Sequence, residues 1–201
     1  MQRKLLLATG NPGKIREYSR LLASVPFDLV TPAALGITLE VAETGATFEE
    51  NARLKAEAFA RASGLLTLAD DSGLVVDVLG GEPGTRSRRL AGENATDAER
   101  VQLLLARLKG IAWEARTARF RCVIALAEPG RETIICRGEC PGIITTEPRG
   151  SNGFGYDPVF YLPLLGRTMA ELTAEEKNRL SHRGLAVQEA ADILRRLAEE
   201  G

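Results

Sequence analysis

The sequence holds one histidine, one tryptophan, two methionines and three cysteines in 201 residues, and each scarcity removes a class of function. Cys122, Cys136 and Cys140 cannot all pair and show no zinc-ligand spacing with His182, so free thiols in a reducing cytoplasm are the simplest account. No apolar run approaches the length of a membrane span. The N-terminal Met-Gln-Arg-Lys-Leu-Leu-Leu-Ala-Thr-Gly has too short an apolar core for a signal peptide and no small-residue cleavage site. The expected location is therefore cytoplasmic, with no membrane partner. Excess charge is missing too: 26 basic and 27 acidic residues leave a net charge of −1, which argues against non-specific nucleic-acid binding. Repeats and low-complexity linkers are absent. The length suits one substantial core, so a single domain over residues 1–201 is expected.

What is present alternates between strand and helix patterns. Residues 4–9 form an apolar run of the kind buried on both faces of an α/β sheet. The loop Thr9-Gly10-Asn11-Pro12-Gly13-Lys14 leads into helical spacing at Ile15, Tyr18, Leu21 and Leu22. Residues 27–30 read as a second strand. Thr47 with Glu50 is a capping box before a helix that ends at Gly64, and Thr96 with Glu99 and Thr173 with Glu176 repeat the pattern. Residues 65–69 read as a buried strand ending in Asp70-Asp71-Ser72-Gly73, with a turn behind the acids and a further strand over 74–79. Residues 118–127 and 132–138, separated by Pro129-Gly130, suggest an antiparallel hairpin. A closing amphipathic helix begins near Ser181-His182-Arg183-Gly184. These elements predict an α/β fold with a mixed sheet.

Several stretches could carry chemistry, each with a plainer alternative. The Thr9 to Lys14 loop joins a strand to a helix N-terminus, which offers backbone N–H groups and a positive dipole end to an anion, yet it could equally be an ordinary turn; it is not a Walker A loop. Adjacent aspartates on a strand face opposite ways, so only one of Asp70 and Asp71 is expected to look into a given site, holding a hydrated cation or accepting a proton; a simple polar turn is the alternative. Gly153-Phe154-Gly155-Tyr156-Asp157-Pro158 can set backbone donors beside a flat ring, or be a glycine-rich hairpin loop. His182 and Arg183 at a helix start suit an anionic or carbonyl-bearing ligand. Arg116, Arg119 and Arg121 around Phe120 read either as an exposed strand face or as a nucleic-acid surface.

Taken in order, the Thr9 to Lys14 loop, Glu50-Asn51-Ala52 with Lys55-Ala56, Ala69-Asp70-Asp71-Ser72-Gly73-Leu74, the Gly153 to Pro158 loop, and Glu176-Lys177 with Ser181-His182-Arg183-Gly184 strongly resemble the inosine triphosphate pyrophosphatase family, the bacterial XTP/dITP diphosphatases. The resemblance spans nearly the whole chain. It implies a homodimer of two-lobed α/β subunits, each with a long mixed β-sheet flanked by helices and a nucleotide cleft between lobes. It also implies magnesium-dependent hydrolysis of ITP, dITP and XTP to the monophosphate and pyrophosphate. By this resemblance Asp71 is the general base and a metal carboxylate, and Glu43 is the second magnesium ligand. Thr9, Gly10, Asn11, Pro12, Gly13, Lys14, Lys55 and Lys177 face the triphosphate. Ser72, Phe154, Gly155, Tyr156, Asp157, His182 and Arg183 contact the nucleotide and its base. The family's usual Ser-Ala-Arg stretch with tyrosines reads Thr85-Arg86-Ser87-Arg88-Arg89-Leu90 here. The competing expectations are a pyrophosphatase for other standard or modified nucleotides, and a non-catalytic RNA-binding module built on the arginine strand and loop.

Overall fold

The computed structural model describes residues 2–200. In chain order the elements are β1 (Arg3–Leu7), α1 (Pro12–Leu21), β2 (Phe27–Val30), α2 (Phe48–Ser63), β3 (Leu66–Val76), α3 (Asp97–Arg107), β4 (Thr117–Ala127), β5 (Ile134–Ile144), β6 (Phe160–Leu162), β7 (Arg167–Thr168), α4 (Ala174–Leu180) and α5 (His182–Glu199). The sheet runs in the order β2-β1-β3-β4-β5-β6-β7. β1 lies parallel to both β2 and β3, whereas β5, β6 and β7 pair antiparallel. β4 and β5 are sheet neighbours joined by residues 128–133, too short a link for a parallel crossover, so they form the expected hairpin. The fold is thus α/β with a mixed sheet.

The chain divides into two compact units. One comprises the chain up to Asp71, Cys122–Gly138 and the chain from Arg183; the other comprises Ser72–Arg121 and Glu139–His182. The first unit is built on the strand period of two. Leu5 and Leu7 of β1, with Leu66 and Leu68 of β3, pack with Tyr18 and Leu22 of α1 and with Val187, Ala190 and Leu194 of α5. Leu6 and Ala8, with Ala69, turn the other way onto Ala52, Ala56, Phe59 and Ala60 of α2. Both faces of the parallel strands are covered, which is why they read as continuous apolar runs. In the second unit Leu74 and Val76 of β3 pack with Val101, Leu104 and Leu108 of the α3 segment and with Phe120, Ile144, Phe160 and Met169.

Local signals set the helix ends. All three predicted capping boxes form, with reciprocal side-chain and backbone bonds at Thr47 and Glu50, Thr96 and Glu99, and Thr173 and Glu176. Such caps contribute about 1 kcal/mol each. Gly64 closes α2 in the left-handed region, φ 70°.

Three local expectations are corrected. No turn follows the aspartates: β3 is one strand running through Asp70, Asp71, Ser72 and Gly73, buried almost throughout, so apolar packing on either side of the acids overrides their turn preference. The segment expected as a strand to residue 79 leaves the sheet at Val76 and turns at Asp77–Leu79. Arg116 is buried, not part of an exposed strand face: its guanidinium donates to the carbonyls of Leu108, Ile144 and Thr145 and so ties the end of α3 to β5 and the chain beyond it. Arg119 pairs with Asp77, and Arg121 with Glu139 at 2.7 Å. The arginine strand is therefore matched by acids within the chain.

Candidate active site

In the first unit, the carboxyl ends of β1 and β3 bring charged groups together. β1 is flanked by β2 on one side and β3 on the other, and the crevice at such a change of direction is where open α/β sheets bind ligands. The register places Leu7 opposite Leu68, so Asp70 and Asp71 lie just past the end of β1, where the Thr9 to Lys14 loop begins. In that loop Asn11 is the N-cap of α1, and its Oδ1 accepts from the N–H of Gly13 at 2.8 Å and of Lys14 at 3.2 Å. This corrects the expectation of open N–H groups there: two are already capped, and the loop presents a lysine beside a capped helix end. Lys14 Nζ lies 2.8 Å from Asp70 Oδ2.

Alternation along β3 separates the two aspartates. Asp70 shares the face of Leu66 and Leu68, and its carboxylate meets Lys14, Arg183 Nη2 at 3.8 Å and the thiol of Cys122. Arg183 is itself buried, donates to Glu17 on α1 at 2.5 Å and lies over the Tyr18 ring. Burial by itself would raise the Asp70 carboxyl, but the charges of Lys14, Arg183 and Lys55 more than reverse it and hold the group well below the ordinary carboxylate range. Asp70 is thereby held as an anion at neutral pH. Burial pushes the neighbouring Cys122 thiol up to about 12, so it stays neutral.

Asp71 takes the opposite face, where α2 runs. Asn51, fully buried, donates from Nδ2 to Asp71 Oδ2 at 3.0 Å and accepts the Gly45 N–H on Oδ1 at 2.8 Å. One helical turn on, Lys55 Nζ donates to the Asp70 carbonyl at 2.6 Å and to Glu43 Oε1 at 2.7 Å. The spacing of four residues puts Asn51 and Lys55 on one face of α2. Burial raises the Asp71 carboxyl, and the charge of Glu43 adds to that shift against the opposing pull of Lys55 and Asn51. Lys55 is held as a cation by Asp70, Asp71 and Glu43 despite its burial. Two adjacent carboxylates are thus driven apart in acidity, the pattern by which an acid–base assignment is recognised.

The second unit gathers the aromatic loop. Asp157 Oδ2 accepts the Phe154 N–H at 2.9 Å and the Lys177 ammonium at 2.5 Å, and that ammonium sits 4.9 Å from the centre of the Phe154 ring. Gly153 (φ 78°) leaves no room for a side chain, since a Cβ there would come within 2.0 Å of Asp157 Oδ2. Tyr156 donates to the Ser87 carbonyl at 2.7 Å, and Asp97 at the start of α3 accepts the Gly155 N–H at 2.7 Å. His182 is buried with its ring stacked on Phe120, 4.7 Å between centres. Ser72 follows the aspartates on β3, half-buried.

Of the residues singled out from the sequence, Lys14, Glu43, Lys55, Asp71 and Arg183 belong to the first unit, as does the Thr9 to Lys14 loop. Ser72, Phe154, Gly155, Tyr156, Asp157, Lys177 and His182 belong to the second. Lys177, expected with the phosphate lysines, is engaged with Asp157 and Phe154 in the ring-bearing loop. Sequence reading gave no role to Asn51, Glu17 or Asp97. The four-residue spacing of Asn51 and Lys55 was the available signal for Asn51, whereas Glu17 meets Arg183 only through the fold.

An α/β protein with lysines and carboxylates collected at the carboxyl ends of parallel strands has the form of a phosphate-handling nucleotide protein. Residues 5–193 match the model of the Ham1 family, and the chain belongs to that family. It is similar to the dITP/XTP pyrophosphatase of Bacillus subtilis, 47% identical over 194 residues, covering 96% of this chain and 98% of the relative. It is also similar to the dITP/XTP pyrophosphatase of Geobacillus kaustophilus, 51% identical over 185 residues and covering 92% and 91%. Among solved structures, a HAM1 protein from Coxiella burnetii shares the fold with a TM-score of 0.87 at 44% identity, covering 96% of this chain and 98% of that one.

Proposed function

We propose that the protein hydrolyses the non-standard purine triphosphates ITP, dITP and XTP to the monophosphate and pyrophosphate, removing them from the nucleotide pool. The observation that carries this reading is the divided aspartate pair: Asp70 is a fixed anion bound to Lys14, and Asp71 is a carboxylate of raised pKa beside Lys55 and Glu43. Membership of the Ham1 family and similarity to proteins named dITP/XTP pyrophosphatase support it.

In this mechanism Asp71 orients the attacking water and takes its proton, a role for which a raised carboxylate pKa is suited. Lys14 and Lys55 neutralise the phosphate oxygens. The donor set also fits magnesium. Glu43 and Asp71 are hard oxygen donors whose neighbourhood already draws a cation, the Lys55 ammonium. Magnesium keeps most of its waters and takes one or two protein carboxylates, which Glu43 and Asp71 would supply. When bound, magnesium supplies charge neutralisation on the phosphates and polarises the scissile anhydride.

For the base, Phe154 stacks on the purine, and the side-chain donors of Lys177 and His182 satisfy the carbonyl at position 6. Adenine aims an amino group at those donors and leaves them unpaired, which discriminates strongly. The proposed assembly is a homodimer, checked by light scattering, and the proposed compartment is the cytoplasm; among the described residues no helix is long and apolar enough to cross a membrane. A panel of ITP, XTP, dATP, GTP, dUTP and dTTP with magnesium, read by pyrophosphate release, tests the reading. Turnover concentrated on ITP and XTP supports it; preference for a pyrimidine nucleotide moves the chain to a different substrate class.

A further inference from the structure

Asn51 lies between the two acidic arms of the proposed site. It is completely buried, and each end of its amide has a partner: Nδ2 donates to Asp71 Oδ2 at 3.0 Å, and Oδ1 accepts the Gly45 N–H at 2.8 Å. Asp71 is on β3, whereas Gly45 follows Glu43 by two residues in the segment that enters α2. One side chain therefore ties the strand carrying one carboxylate to the loop carrying the other. The closeness is specific, since a Cβ at Gly45 would sit 2.8 Å from Asn51 Oδ1 and 2.6 Å from Glu50 Cβ.

We infer that Asn51 is the positioning residue of the Asp71 and Glu43 pair: its amide sets the rotamer of Asp71 and the path of the Glu43 loop together, presenting both carboxylates to a divalent cation in one arrangement. This inference rests on the function proposed above. Neutral Asn suits the task on chemical grounds. It donates to a carboxylate without supplying a positive charge that would compete with the metal, which Lys or Arg at the same place would do. Its acceptor end cannot be replaced by an apolar residue without removing the partner of the part-buried Gly45 N–H. Groups that orient ligating carboxylates typically change metal affinity by about 10- to 100-fold when removed.

The test titrates Mn2+ alone into nucleotide-free protein, reading free metal by EPR, for the wild type, Asn51→Ala and Gly45→Ala. Thermal melts confirm folding, and steady-state kinetics with ITP and magnesium run in parallel. Gly45→Ala attacks the same contact from the loop side, so it carries the test should Asn51→Ala not fold. The expected result is a rise in the Mn2+ dissociation constant of about tenfold in each folded variant. In parallel, kcat falls while KM for ITP stays within about twofold, because neither substitution removes a phosphate lysine or a residue of the ring-bearing loop. The double variant is expected to be no worse than the poorer single one, since both remove one interaction. Wild-type Mn2+ affinity in either folded variant overturns the inference and leaves the proposed function standing. A wild-type protein that neither binds Mn2+ nor hydrolyses ITP overturns the proposed function and the inference with it.

Discussion

Replacing Asp70 with Asn keeps the shape of the side chain and removes its charge, so it isolates what the buried anion contributes. Removing one partner of a buried ion pair costs about 3–5 kcal/mol. A value at or just below the lower end, about 2–3 kcal/mol, applies here because both cations keep an alternative. Lys14 is 15% exposed and can turn to water, and Arg183, 2% exposed, keeps Glu17 at 2.5 Å. For a chain of this size that loss lowers the melting temperature by about 4–12 °C. The pH dependence follows from the direction of the shift. The folded carboxyl lies well below the ordinary value, so its stabilisation is fully present above the unfolded pKa of about 3.9 and is lost as pH falls toward the folded value. The gap between wild type and Asp70→Asn should therefore be constant from pH 8 to about pH 5 and narrow by about 1 kcal/mol between pH 5 and pH 3. Denaturant unfolding at matched pH values measures it. A variant within about 0.5 kcal/mol of wild type at pH 7, or a gap that does not narrow in acid, refutes the ion-pair account.

Three further outcomes follow from the site. Asp71→Asn removes the base and preserves shape, so turnover of ITP should fall about a hundredfold or more, and near-normal turnover rules the assignment out. Because burial and Glu43 raise the Asp71 carboxyl, the acid limb of kcat/KM should lie above the ordinary carboxylate value, and raising magnesium should move it to lower pH, since a cation favours the ionised form; profiles at two magnesium concentrations check this. Phe154→Ala removes a half-buried ring that packs with the Lys177 ammonium, and it should raise KM for ITP by about tenfold with little change in melting temperature, read from kinetics and calorimetry together.

Much of this was legible in the chain, and the exceptions have physical causes. The three Thr-x-x-Glu boxes and the Gly64 stop located helix boundaries because capping is a local interaction between residues three or four apart. Apolar runs announced the buried part of β1 and residues 122–127 of β4, where both faces of the strand are covered. Asp70 to Gly73 misled in the direction of a turn, since propensity treats Asp-Asp-Ser-Gly as polar punctuation while its neighbours along and across the sheet keep it extended. Arg116 misled because composition alone cannot show a guanidinium satisfied by three carbonyls. Long-range partners were the least accessible: Glu17 meets Arg183 across 166 residues. The two-residue strand β7 left too little pattern to detect. That Asp70 and Asp71 would separate was readable from strand alternation, but which one met Lys14 required the fold.

The central claim is cleavage of non-standard purine triphosphates at the bond that releases pyrophosphate, and phosphorus NMR of the reaction with ITP and magnesium tests it most directly. The account predicts inosine monophosphate and pyrophosphate as the only products, with ATP turned over orders of magnitude more slowly. Appearance of orthophosphate with inosine diphosphate, or equal turnover of ATP, contradicts it.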